Sequence, residues 1–225
     1  MQGAVNSHAG YNVQTMITRR HTARSMLIPA PRDDLCLAFA NTQSWRGRET
    51  PTETLGGIDD LLSWLASTAK LPAVTIEAAA NRAHRRPAEA AALFRSTIEL
   101  REAIYRLFSA LASSQHAVEK DVALLNRILA DAPRRETLAQ AGMGYVWAVK
   151  RVDMSAAGLL APVLWSAADL LTRADRRRVR RCANDACLWL FVDESKAGTR
   201  RWCDMSSCGN RAKSRRHYLK GKHDP

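Results

Sequence analysis

The chain has 225 residues, with 34 Lys and Arg against 22 Asp and Glu and a formal net charge of +12. That length accommodates one sizeable domain plus a small module. No stretch approaches the ~18 uninterrupted apolar residues of a membrane helix. Residues 1–25 lack the apolar core of a secretory signal, so those two classes are excluded and a cytoplasmic protein is expected.

Residues 1–32 are polar, contain Gly and Asn, and show no apolar periodicity, so they read as a disordered tail, or the true start is Met26. Residues 33–173 read as a mainly helical domain. An apolar segment, Leu35–Asn41, opens it. Ile58–Leu71 carries Ile58, Leu61, Leu62 and Leu65 at helical spacing. A third helix is expected over Thr75–Arg86. A long fourth follows over Ala88–Ala112, with Pro87 at its N-terminus, where proline is tolerated. Ala117–Ala130 places Val122, Leu125, Ile128 and Leu129 inward. Arg135–Ala141 and Tyr145–Val152, joined by Gly142-Met143-Gly144, predict a small β-hairpin. Ala156–Thr172 predicts the last helix of the body, with the domain boundary near Ala174.

Two cysteine pairs follow. Four residues separate Cys182 from Cys187 and Cys203 from Cys208, and fifteen lie between the pairs. Four thiols in this pattern can surround one tetrahedral ion. Zinc favours the set, and four protein ligands leave no open position, so the metal is expected to be structural. Disulfides fit a polar segment of a cytoplasmic chain poorly. Charge concentrates on the same module. From Arg173 onward there are 15 Lys and Arg against six Asp and Glu, so nine of the twelve net positive charges sit there. A basic face of that kind points to a polyanion, with nucleic acid the default.

Leu188–Val192 reads as a strand, Asp193–Gly198 as a turn, and Thr199–Trp202 as the return toward Cys203. Trp189, Phe191 and Trp202 are expected to form a miniature core, too small to fold without metal. After Cys208 the composition is helical, with Ser206 or Ser207 as the cap. Arg211 and Arg215 form one basic stripe of that helix, and Lys213, Arg216 and Lys220 a second. The fold class is therefore mainly α: a helical N-terminal domain, then a treble-clef-like four-cysteine zinc finger over residues 174–220, then a short tail, 221–225.

Cys208-Gly209-Asn210-Arg211 is the signature of the CGNR zinc fingers, and residues 200–217 resemble that family nearly throughout. The stretch from Arg181-Cys182 through Cys187 to Asp193 is similar too, with Leu188 where the family often has Gly. Leu35–Thr42 followed by Trp45-Arg46-Gly47 resembles the opening of the ABATE domain, with Ala38 where an acid is more common. That domain accompanies CGNR fingers in bacterial proteins regarded as stress-response transcription regulators. The resemblance spans residues 33–218 and implies Cys182, Cys187, Cys203 and Cys208 as ligands of one structural zinc.

The expected partner is DNA, with RNA or the ribosome as the alternative. Asn210, Arg211 and Arg215 are the candidates for base edges. Arg177, Arg178, Arg200, Arg201, Lys213 and Arg216 are the candidates for phosphates. A single finger reads a short site, so the helical body is expected to sense a small-molecule effector or to form a homodimer. Asn41, Thr42 and Arg46, polar beside an apolar run, either finish a helix or line an effector pocket. Cys36 reads as a core thiol, and His84 and His116 as surface residues. No nucleophile–base pair, carboxylate pair or Gly-rich phosphate loop points to an enzyme.

Overall fold

Leu35–Ala40 has almost no polar group to expose, and it becomes α1, a short helix buried along nearly its whole length. Two longer helices pack on it. In the computed structural model, which describes residues 25–150, 153–173 and 178–214, α2 spans Ile58–Ser67, α3 Ala73–Arg85, α4 Pro87–Ala112 and α5 Glu119–Ala130. Two more, α6 (Ala156–Leu159) and α7 (Ala161–Thr172), close the body, and α1 lies against α4 and α7. No helix among the described residues is long and apolar enough to cross a membrane.

The amphipathic patterns explain most of these elements. Leu61, Leu62 and Leu65 of α2 are buried at helical spacing. Pro87 opens α4 without losing a hydrogen bond. The single helix expected over Ala156–Thr172 is instead two. Pro162 lacks an N–H, so the chain breaks at Leu160 and α7 starts afresh with proline in its first turn. On α5 the inward face differs by a rotation. Val122 is 39% exposed, whereas Leu124, Leu125 and Ile128 are buried. Asp121 turns inward with them, held by Nη2 and Nε of Arg106 at 2.6 and 2.8 Å.

The predicted hairpin forms, as β4 (Thr137–Ala141) and β5 (Gly144–Lys150), antiparallel. It gains a third strand from a place the sequence does not suggest. Ser25–Ile28, within the expected tail, is β1 and pairs antiparallel with β5, Ile28 opposite Trp147. Ile28 is fully buried, so this apolar tetrapeptide belongs to the core and not to a tail. Short antiparallel strands β2 (Gln43–Ser44) and β3 (Thr52–Glu53) follow α1. Residues 1–24 and 221–225 and the boundary at Ala174 lie outside the described residues.

The finger begins with β6 (Val179–Arg181) paired antiparallel to β7 (Leu190–Val192). The return strand expected over Thr199–Trp202 does not form; β7 pairs upstream instead. Side-chain alternation gives the finger two apolar faces. Val179 and Leu190 enter the core of the helical body, while Phe191 turns to the cysteines. The finger's strands are thus part of two cores at once.

Candidate metal centre and nucleic-acid interface

Cys182 follows β6, Cys187 lies on the knuckle before β7, Cys203 precedes a π-helical turn, Met205–Gly209, and Cys208 lies within that turn. Their four Sγ atoms lie within 4.8 Å of one another. Cys187 and Cys203 sulfurs are 3.7 Å apart, and none of the five cysteines is in a disulfide. Four sulfurs at the usual Zn–S length of about 2.3 Å in a tetrahedron have edges near 3.8 Å. Cys182, Cys187 and Cys208 are buried and Cys203 half-buried.

The thiol electrostatics agree with a cation. A hydrogen bond from Cys203 holds Cys187 down to about 5, against the opposing effect of burial. Cys203, on the donating side of that bond and partly desolvated, is pushed far up, and burial pushes Cys182 up. One proton is shed easily and others are retained, because several thiolates cannot share so small a volume without a compensating positive charge. The donor set fits one zinc ion, which would fix the knuckle to the π-turn as a structural cross-link.

Local hydrogen bonds prepare this cage. Asn184 Nδ2 donates to Cys208 Sγ at 3.4 Å, and its Oδ1 accepts from the Ala186 amide. Asp204, not Ser206 or Ser207, caps the π-turn, accepting from the amides of both serines at 3.2 and 3.1 Å. The sequence signal was Asp204 two and three residues ahead of the serines, the spacing at which a cap carboxylate reaches their amides. Asp193 is fully buried and organises the 193–200 loop, accepting from Ser195 and from the Arg200 amide. Leu188 sits at φ 57°, the left-handed region that glycine occupies freely. The place where the resembled family often has Gly is therefore a backbone requirement.

The expected miniature core has different members. Phe191 and Trp202 pack at the cysteines, but Trp189 is 37% exposed. Its place is taken by Trp45 of the helical body. The body reaches the finger along the whole knuckle. Gly47 donates its amide to the Ala186 carbonyl at 3.3 Å, and a Cβ at Gly47 would lie 1.7 Å from the Asp185 carbonyl oxygen. Tyr105 Oη donates to the Leu188 carbonyl at 3.0 Å.

Asn41, Thr42 and Arg46 are drawn into the same junction. Asn41 ends α1, and its side-chain amide closes on both backbone groups of Leu190, donating at 2.8 Å and accepting at 3.0 Å. It occupies the free edge of β7 as a neighbouring strand would. Thr42 Oγ1 donates to the Phe39 carbonyl and accepts from Arg101. Arg46 donates to Glu102, Gln43 and the Ala40 carbonyl, with its guanidinium 3.9 Å from the centre of the Tyr105 ring. Arg101, 1% exposed, grips Glu53 with two nitrogens at 2.6 and 2.7 Å and reaches Glu102 with Nε. Burial raises the Glu53 and Glu102 carboxyls, but their arginine partners outweigh it and hold both below the usual range. Most of these polar groups are spent on one another, Arg46 Nε excepted. Arg101 could have been suspected from its position on the apolar stripe of α4, beside Leu100 and Ile104.

The basic candidates divide into two sets. Arg178 donates to the Asp193 and Ser195 carbonyls, and Arg200 to those of Trp202 and Cys203, so both also stitch the finger's backbone. Arg201, Asn210, Arg211 and Lys213 are exposed. Arg201 lies over Trp202 at 5.4 Å, and Arg211 over Trp45 at 4.7 Å. Asn210 donates its side-chain amide to the Ser206 carbonyl at 3.1 Å. Arg177, Arg215 and Arg216 lie outside the described residues. Cys36 is buried in the body, where desolvation pushes its thiol up to about 12; His84 and His116 are exposed.

Comparison with known proteins places both halves. Residues 33–174 match the ABATE family, whose description is "Putative stress-induced transcription regulator", and residues 178–220 match the CGNR zinc finger. No curated protein matches the chain. With the first match covering more than half of its length and the four-thiol cage lying within the second, the chain belongs to the ABATE family and carries a C-terminal CGNR zinc finger.

Proposed function

We propose that this protein is a zinc-dependent DNA-binding transcription regulator, acting by binding and not by catalysis. The observation that carries the reading is the display of Arg201, Arg211 and Lys213 at the surface of a finger whose interior is a buried four-thiol cage. Cationic side chains on a rigid scaffold neutralise phosphates without ordering a flexible segment on binding. Asn210 and Arg211, at the start of the helix after the π-turn, are the candidates for base edges, with Arg215 four residues on in the sequence. Arg201 and Lys213 meet phosphates, and Arg177, Arg178, Arg200 and Arg216 are the further candidates for phosphates. Six neutralised phosphates would give a log–log salt slope of about −5. The helical body holds the finger in place, and effector binding or pairing of two copies through it would provide control and a longer site.

The test is selection from a random duplex DNA pool by the zinc-loaded protein, with a structured RNA pool as competitor, at physiological salt. Enrichment of one duplex sequence supports a site-specific regulator. Preference for RNA, or no enrichment, refutes it.

A further inference from the structure

Residues 45–48 of the body alternate in what they touch. Trp45 turns to the zinc cluster, Arg46 into the body, Gly47 against the knuckle, and Arg48 outward. Trp45 holds φ 54°, a conformation that a bulky residue keeps only when its surroundings impose it. The contact at Gly47 imposes it here, because the turn is pressed on the Asp185–Ala186 backbone too closely for any side chain.

The result is two cations on one ring. The Arg48 guanidinium carbon lies 4.1 Å from the Trp45 ring centre and that of Arg211 lies 4.7 Å from it, one arginine from each domain. Both residues are exposed, and neither is in an ion pair among the described residues. Stacking orients a guanidinium while leaving the N–H donors at its edge free for a phosphate fork. Two like charges held within 5 Å of one ring centre, neither in an ion pair with a described carboxylate, gain most from a ligand that carries regularly spaced negative charge.

From this geometry we infer that the body takes part in the nucleic-acid interface: Trp45 is a stacking post that holds Arg48 of the body and Arg211 of the finger on one ring, and Arg48 binds a phosphate of duplex DNA. The inference rests on the DNA-binding reading above. The recognition surface then spans the domain junction, and the Gly47 contact positions it.

The experiment is a salt titration of the affinity of zinc-loaded, full-length protein for a mixed-sequence duplex. It compares wild type, Arg48→Ala, and Arg127→Ala, which removes the same charge from an exposed site on α5. Arg48→Ala should weaken binding about tenfold, alike across sequences, and make the salt slope shallower by about one. Arg127→Ala should leave both nearly unchanged. Arg48→Lys should recover the slope but only part of the affinity, because ammonium keeps the charge and loses the planar fork. If wild type binds the duplex and Arg48→Ala behaves like Arg127→Ala, the inference is overturned while the DNA-binding reading stands. If wild type ignores duplex DNA, the DNA-binding reading itself fails and takes the inference with it.

Discussion

Replacing Asn41 by Ala should unfasten the finger from the body. Asn41 is 5% exposed and Leu190 is 1% exposed, so no water stands ready to replace the lost amide. The substitution orphans the Leu190 N–H and its carbonyl together. Each buried unsatisfied backbone group costs about 1–3 kcal/mol. Against this, the variant no longer desolvates the Asn side chain, so a net loss of about 3 kcal/mol is expected. For a chain of this size that corresponds to a fall of roughly 6–12 °C in Tm. Asn41→Asp should be at least as damaging, since its carboxylate would face the Leu190 carbonyl. The assays are urea denaturation of the zinc-loaded protein and hydrogen exchange at the Leu190 amide. A loss below about 1 kcal/mol, with the Leu190 amide as protected as in wild type, would refute the account of Asn41 as a surrogate strand.

Cys203→Ser should lose the metal and unfold the finger while the body stays helical; a zinc content equal to wild type, or finger NMR signals still dispersed, would count against this. Leu188→Gly should raise stability by about 1 kcal/mol by relieving the left-handed backbone at φ 57°, a gain measurable in Tm; destabilisation would show that the Leu side chain contributes more than its backbone costs. Glu102 has its folded pKa held below the unfolded value of about 4.3, so its contribution is present above that pH and disappears as pH falls through the folded pKa. The stability gap between wild type and Glu102→Gln should therefore shrink from pH 7 toward pH 3, and a gap constant over that range would rule the linkage out. Arg211→Ala should relax discrimination among DNA sites with zinc still bound; unchanged discrimination would remove Arg211 from the base-reading set.

Periodicity and local chemistry were enough for much of this protein. The apolar spacing of α2, α4 and α5 announces helices, because burying one stripe is the dominant gain available to such segments. The four cysteines announce their cage, because a tetrahedral thiolate site needs only two close pairs and a short excursion. Even the odd residue at the knuckle, Leu188 for Gly, marks a backbone condition legible in one dimension. The junction was not legible. Asn41 and Leu190 are 149 residues apart, and nothing local to either tells which free strand edge a buried amide will close. Trp45 looks like a solitary aromatic in a polar loop until the fold sets it against the cysteines. Ser25–Ile28 looks like the end of a tail until β5 offers its edge. Hydrophobic pattern reports which face of an element wants burial, whereas the identity of the burying partner is set by packing across the whole chain, and that is what tertiary structure decided here.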